Sequence, residues 1–382
     1  MELYKFVAPE IIFGPGALAQ TGVSLARLGV KKVFIVSDPG VIEAGWVERA
    51  IPYIREAGLE SRIWYEITSN PKDHEIHRGL QQYKESGCNA VLAIGGGSSV
   101  DAAKAVALQS ANDGNIREYE GPDKIQNPLP PIVAIPTTAG SGSEVTQFAI
   151  VTNTDRKMKM AICSRSLVPD ICLIDPWTLT TKSPELTANT GLDALSHAIE
   201  AYVSVAATPL TDVQALNAMK LVWQNLPKSM AKRSDLEAKT AMAMASLQAG
   251  LALSNAILGL VHAMSHQLGG FLDMAHGEAN AILLPYVMEF NLPAAEERFG
   301  IIAAAMGQDI VHLSRRDAAQ KAIDAVRQLA RNVGIPAKLS EIGFTDEFID
   351  TLSENAMQDV CLLTNPKDVQ LRDIKNLFSS AL

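Results

Sequence analysis

Two side chains with chemical potential sit in an apolar stretch. Residues 191–202 read GLDALSHAIEAY, with Asp193 and His197 four positions apart. On a helix both project from one face. Burying a carboxylate or an imidazole there is costly unless it is paired, hydrogen-bonded or bound to a metal. A second stretch, GLVHAMSHQLGGFLDMAHGEANA at 259–281, supplies His262, His266 and His276. His262 and His266 are again four apart, so they share a helix face. Gly269 and Gly270 are expected to end that helix and leave His276 in a turn. A single histidine in apolar company is usually a satisfied core residue. Four of the seven histidines fall between 197 and 276, beside Asp193, which favours a metal site instead. Three imidazoles and a carboxylate suit Fe(II) or Zn(II) with one position open, and spacing alone does not choose between them. His74, His77 and His312 lie among charges and read as surface residues.

Two glycine-rich segments carry a different chemistry. IGGGSSVDAAK (94–104) follows an apolar run and opens a helical one. Backbone N–H groups at a helix start, exposed by Gly95, Gly96 and Gly97, suit a phosphate. Ser98 is placed to cap the helix and donate to a phosphate oxygen. The segment is neither GxGxxG nor a P-loop, and a plain strand-to-helix turn is the alternative. PTTAGSGSEVT (136–146) follows the next strand-like run. Two such loops at neighbouring strand ends favour a nucleotide crevice, the usual ligand site of α/β sheets, with a flexible surface loop as the alternative for the second. Asp38 ends another apolar run. There a carboxylate can bond an adenosine ribose hydroxyl and repel a 2′-phosphate, favouring NAD over NADP.

These groups need elements to hold them. The runs 31–38, 90–97, 131–138 and 170–176 read as buried strands, separated by helical patterns such as 73–87 and 99–111. That alternation predicts a mostly parallel α/β sheet. From about residue 180 strand-like runs give way to Ala-, Leu- and Met-rich segments at 187–206, 209–232, 236–256, 257–270, 278–290 and 316–333, expected as packed helices. An α/β domain is therefore expected at 1–180 and an all-α domain at 181–382. The chain has 382 residues, 47% hydrophobic, with net charge −9. It can build a sizeable core, and the charge argues against general nucleic-acid or acidic-membrane binding. Cys88, Cys163, Cys172 and Cys361 form no CxxC pair and read as reduced thiols of a cytoplasmic protein. MELYKFVAPEIIFG is too short and polar for a signal peptide. No apolar run reaches the ~18 residues of a membrane span.

Taken in order, GGGSSVDAAK, PTTAGSGSEVT, TGLDALSHAIEAY and GLVHAMSHQLGG…AHGEANA resemble the motifs of the iron-containing, or group III, alcohol dehydrogenases, and the likeness covers essentially the whole chain. The resemblance implies a dinucleotide-binding α/β domain and a helical, metal-binding catalytic domain, in a dehydroquinate synthase-like architecture. It implies metal ligands at Asp193, His197, His262 and His276, and a cofactor cleft for NAD. Nucleotide contacts then fall on Asp38, Asn70, Gly96, Gly97, Ser98, Asp101, Thr137, Thr138, Thr146, Phe148 and Lys159. Thr178 and Leu179 would lie on the adenine side, where DPWTLTTKSPELT departs from the usual leucine placement. His266 and His276 would lie near the nicotinamide, with His266 a non-ligand. Phe148, Leu253 and Cys361 would line an apolar substrate pocket.

The chemistry expected is hydride transfer between a short-chain primary alcohol or diol, or its aldehyde, and NAD(H). A metal cation lowers the pKa of the alcohol, and His266 is a candidate proton relay. The alternatives are a zinc-dependent glycerol dehydrogenase and, further off, a dehydroquinate synthase-like lyase, which would need more basic residues to grip a phosphorylated acid. The resemblance also implies a homodimer or higher homo-oligomer, with residues 2–14 adding to a partner's sheet edge.

Overall fold

The computed structural model describes residues 5–382. They divide into two compact units, one of Val7–Thr181 and one of Lys182–Leu382 together with the residues before Val7.

The first unit is built on a six-stranded sheet. In chain order its elements are β1 (Glu10–Phe13), α1 (Thr21–Arg27), β2 (Lys32–Val36), α2 (Pro39–Glu43), α3 (Trp46–Glu56), β3 (Glu60–Trp64), α4 (Asp73–Ser86), β4 (Ala90–Gly95), α5 (Gly97–Ala111), β5 (Gly121–Pro122), β6 (Ile132–Pro136), β7 (Phe148–Asn153), β8 (Met158–Cys163) and β9 (Ile171–Ile174). The strand order is β1-β9-β6-β4-β2-β3, and every pairing in it is parallel. A small second sheet holds β5, β8 and β7, with β7 and β8 an antiparallel hairpin.

Parallel strands need cover on both faces, which explains their near-continuous apolar runs. Along β2, Phe34 and Val36 pack on one side with Ile76 and Val106, while Val33 and Ile35 pack on the other with Leu25, Val47 and Ile54. The expected strands at 31–38, 90–97, 131–138 and 170–176 are found as β2, β4, β6 and β9. Glu60–Trp64 escaped because it sits at the edge with a half-exposed, polar pattern. Glu10–Phe13 pairs with β9 of its own chain. That part of the 2–14 segment is a strand of its own sheet, whereas residues 1–4 lie outside the described residues.

The second unit is helical: α6 (Pro184–Val203), α7 (Pro209–Ala231), α8 (Leu236–Ala256), α9 (Leu260–Leu272), α10 (His276–Ala305), α11 (Arg315–Asn332), α12 (Ile349–Ala356) and α13 (Leu371–Ala381). Serine, threonine and aspartate caps start α6, α7, α8 and α11. Ser183 Oγ accepts from Leu186 N ahead of Pro184, and Asp235 accepts from Ala238 N, as capping preference dictates. Two expectations are corrected here. α9 runs through Gly269 and Gly270 and ends at Asp273 in a left-handed conformation, so His276 is not in a turn but opens α10. The helix expected at 278–290 continues to Ala305, past Pro285 and Pro293, with a break at Ala295. Glycine inside a helix costs only about 1 kcal/mol, and the buried apolar face of α9 outweighs it. Among the described residues no single helix is long and apolar enough to cross a membrane.

Candidate metal and nucleotide sites

In the helical unit, α6 contributes Asp193 and His197, α9 contributes His262, and the first residue of α10 is His276. One ligand-type atom from each of the four lies within 4.8 Å of all the others. Asp193 Oδ1 is 3.8 Å from His197 Nε2 and 3.9 Å from His276 Nε2. The rings of His197 and His262 stack at 4.6 Å. Such a gathering of lone pairs is repulsive unless a cation or proton donors fill its centre. The donor present is the amide of Asn280, one turn past His276 on α10. Its Nδ2 lies 2.7 Å from Asp193 Oδ1, 3.0 Å from His262 Nε2 and 3.2 Å from His276 Nε2. Two amide hydrogens face three acceptors, and the Asn280 Oδ1 is buried without a partner among the described residues. The donor set therefore fits a divalent cation of the Fe(II) or Zn(II) kind.

His262 is the most deeply buried of the three imidazoles in that set. Burial, aided by the neighbouring His197 and His266 rings, drops its pKa well below the ordinary histidine value. Neutral imidazole is the ligating form. Its Nδ1 faces Glu200 Oε2 at 2.5 Å, and Glu200 Oε1 accepts from Val261 N at 2.6 Å. Burial raises the Glu200 carboxyl pKa to about 7, against the opposing pull of the surrounding backbone N–H groups.

His266 stands apart from the ligand set. Its Nδ1 lies 2.8 Å from Asp359 Oδ2, and its ring stacks on His276 at 5.5 Å. Burial works to raise the Asp359 pKa, yet the charge and hydrogen bond of His266 hold it below the usual carboxylate value. The carboxylate thus leaves His266 Nε2 as the ring atom available for proton exchange. Cys361, whose backbone N–H bonds Asp359 Oδ1, is buried, as is Leu253 on α8. Burial lifts the Cys361 thiol well above its ordinary pKa, so it is a packing group rather than a thiolate.

In the α/β unit, β2, β4 and β6 are neighbours, and their C-terminal ends carry Asp38, the Gly95–Gly97 turn and Thr137–Thr138. Asp38 Oδ1 accepts from Val41 N, capping α2, and its Oδ2 accepts from Ser99 Oγ. The cap of α5 is Gly96, with no side-chain hydrogen bond. Ser98 lies inside the helix and does not cap it, contrary to expectation, so the first N–H groups of α5 stay available to an anion. A Cβ on Gly97 would sit 2.8 Å from the Ser141 side chain, so only glycine lets the two loops approach. Thr137 Oγ1 is buried without a partner among the described residues. These features fit a dinucleotide.

The remaining positions are mixed. Asn70 takes a left-handed backbone with φ 50°. Thr146, Phe148 and Lys159 belong to the β7–β8 hairpin and the turn before it. Thr178 is buried, and its hydroxyl is committed to the carbonyls of Pro136 and Asp175. That hydroxyl therefore serves the backbone, and Leu179 beside it is buried too. Lys104 went unnoticed in the sequence. Fully buried on α5, its Nζ donates to the carbonyls of Ser143, Thr146 and Phe148 at 2.7, 2.8 and 2.7 Å. Ser143 in turn donates to Asp101. The lysine thereby pins the second glycine-rich loop to the helix that follows the first.

Comparison with known proteins agrees with this geometry. Residues 8–176 match the family described as iron-containing alcohol dehydrogenase, and residues 187–382 match the C-terminal part of the Fe-containing alcohol dehydrogenase family. The chain belongs to the iron-containing alcohol dehydrogenase family, a group of oxidoreductases. It is 43% identical over 377 residues to the NAD-dependent methanol dehydrogenase of Bacillus methanolicus, covering 99% of each chain. It is 41% identical to the 1,3-propanediol dehydrogenase of Klebsiella pneumoniae, again over 99% of each. The solved structure of a 1,3-propanediol oxidoreductase matches with a TM-score of 0.97 at 41% identity over the full length of both chains. These relatives support the alcohol dehydrogenase reading over the glycerol dehydrogenase and lyase alternatives.

Proposed function

We propose that this protein interconverts a short-chain primary alcohol or diol and its aldehyde, with NAD as hydride carrier and Fe(II) at the cluster of Asp193, His197, His262 and His276. The convergence of those four ligand atoms in a buried helical site carries the reading. Zn(II) satisfies the same donors. The helical unit supplies the metal site and the α/β unit the nucleotide site. When bound, the cation supplies Lewis acidity toward the alcohol oxygen, and the nicotinamide supplies the hydride acceptor.

The chain's own residues do the rest. His266, oriented by Asp359, accepts through Nε2 the proton the alcohol loses and returns it in the reverse direction. Asp38 disfavours a 2′-phosphate and selects NAD. Gly96, Gly97 and Ser98 offer N–H groups to the pyrophosphate, and Leu253 and Cys361 of the helical unit contribute apolar surface to the substrate site. None of the four cysteines is joined in a disulfide, in keeping with a reducing, cytoplasmic setting. A homodimer is the proposed assembly, with the open edge of β1 as one place for a partner to pair.

An anaerobic assay tests this. A panel of alcohols and aldehydes is run with NAD(H) and NADP(H), with metal analysis of the same preparation. Alcohol-dependent NADH formation by metal-loaded protein is expected. Its absence across the panel would defeat the reading.

A further inference from the structure

We propose that Glu200 is a positioning residue of the metal site, fixing His262 in the tautomer whose Nε2 lone pair faces the other ligand atoms. The inference rests on the reading of Asp193, His197, His262 and His276 as metal ligands.

The sequence places Glu200 on α6, three residues after His197 and seven after Asp193. Those offsets put all three on one helix face. Glu200 is buried, so an uncompensated charge there would be costly. The structure surrounds it with donors. Val261 N bonds Oε1 at 2.6 Å, and the nearby backbone N–H groups of Gly259 and His262 favour its charged form. His262 Nδ1 is 2.5 Å from Oε2. With Val261 N already donating to it, the ionised Glu200 can only accept, so its His262 partner donates from Nδ1 and carries the ring hydrogen there. The neutral ring then has its lone pair on Nε2. That atom meets the same Asn280 Nδ2 as Asp193 Oδ1, so the fixed lone pair points into the cluster.

Glu200 also joins two elements. It reaches from α6, which holds two ligands, to the first turn of α9, which holds the third. The α9 cap is Gly259, without a side-chain bond of its own. A Cβ on Gly259 would lie 2.9 Å from Glu200 Oε1, so glycine is what admits the carboxylate. A carboxylate behind a ligating histidine commonly fixes ring orientation and strengthens the ligand, and its loss costs about 10–100-fold in metal affinity.

Helix capping alone would also explain this geometry, so the test must separate the two roles. In Glu200→Gln the amide oxygen can still accept from Val261 N. The amide NH2 now faces His262 Nδ1, which must become an acceptor, so the ring hydrogen moves to Nε2 and blocks the metal-facing lone pair. Metal-stripped wild type, Glu200→Gln and Glu200→Asp are titrated with Co(II) by calorimetry and visible absorption. The melting temperature and the 15N ring shifts of labelled histidines are measured on the stripped proteins.

Glu200→Gln is expected to keep a near-wild-type melting temperature, to show one histidine switched from Nδ1–H to Nε2–H, and to bind Co(II) about 10–100-fold more weakly. Glu200→Asp keeps the charge and recovers part of the affinity. Wild-type Co(II) affinity in Glu200→Gln would overturn the proposal. So would weaker binding that tracks a fall in melting temperature with no tautomer switch. Failure of wild type itself to bind Co(II) would refute the metal reading of the whole site, and this is visible without any variant.

Discussion

His266 and Asp359 form a partly buried pair, with His266 Nδ1 2.8 Å from Asp359 Oδ2, although they are 93 residues apart in the chain. The pair sits against His276 but adds no atom to the four-ligand cluster. His266→Ala should therefore keep its metal and lose about 10²-fold in kcat, the scale of a general acid–base contribution. Asp359→Asn should also slow turnover, because an amide can donate to Nδ1 and reverse the tautomer. Metal content and kcat on both variants check this. If His266→Ala loses its metal while His276→Ala retains it, the third imidazole ligand has been assigned to the wrong residue.

Cofactor choice rests on Asp38. The wild type should use NAD with a higher kcat/KM than NADP, and Asp38→Gly should narrow the gap. The same change removes the α2 cap, at a cost of a few tenths of a kcal/mol for glycine in place of aspartate. Equal or better use of NADP by the wild type would count against this role.

Lys104 gives a pH-dependent prediction. Burial lowers its pKa to about 8, with Asp101 and Glu144 opposing that shift. Between pH 8 and the ordinary lysine value of 10.5, the folded protein has released a proton that the unfolded chain still holds. Stability then rises with pH across that window. The penalty for a buried ammonium is full below pH 8 and is lifted above it. Lys104→Met lacks this term, so the stability of wild type minus that of the variant should grow between pH 8 and 10. Denaturant unfolding at both pH values measures it, and an unchanged difference would contradict the buried charge. At pH 7 the variant should also bind NAD more weakly, because three loop carbonyls lose their common donor.

Sequence pattern revealed much of this fold where period and burial agree. The continuous apolar runs of β2, β4, β6 and β9 are the mark of strands covered on both faces. Glu60–Trp64 carries no such run, because as an edge strand its side chains reach solvent. The course of α9 through two glycines was hidden because local propensity argues for a stop, while the buried contacts that override it are made by distant residues. The same divide runs through the site. Asp193, His197, His262, His266 and His276 are visible through their spacing in apolar stretches, and it is the family resemblance that implies His276 rather than His266 as the third imidazole ligand. Glu200 and Asn280 lay within the same stretches, at helical offsets from the ligands, and would have emerged from asking what holds each imidazole. Asp359 had no such signal. DVCLL has no period that points to His266, and only the tertiary fold brings the two together.

The measurement closest to the central claim is metal content together with alcohol-dependent NADH formation, followed through chelation and anaerobic return of Fe(II), on wild type and His262→Ala. The wild type should hold one ion per chain, lose turnover on chelation and regain it with Fe(II). His262→Ala should hold little metal and turn over negligibly, while still binding NAD through the α/β unit. Full turnover by chelated wild type, or a metal-loaded and active His262→Ala, would contradict the assignment of catalysis to this four-residue metal site.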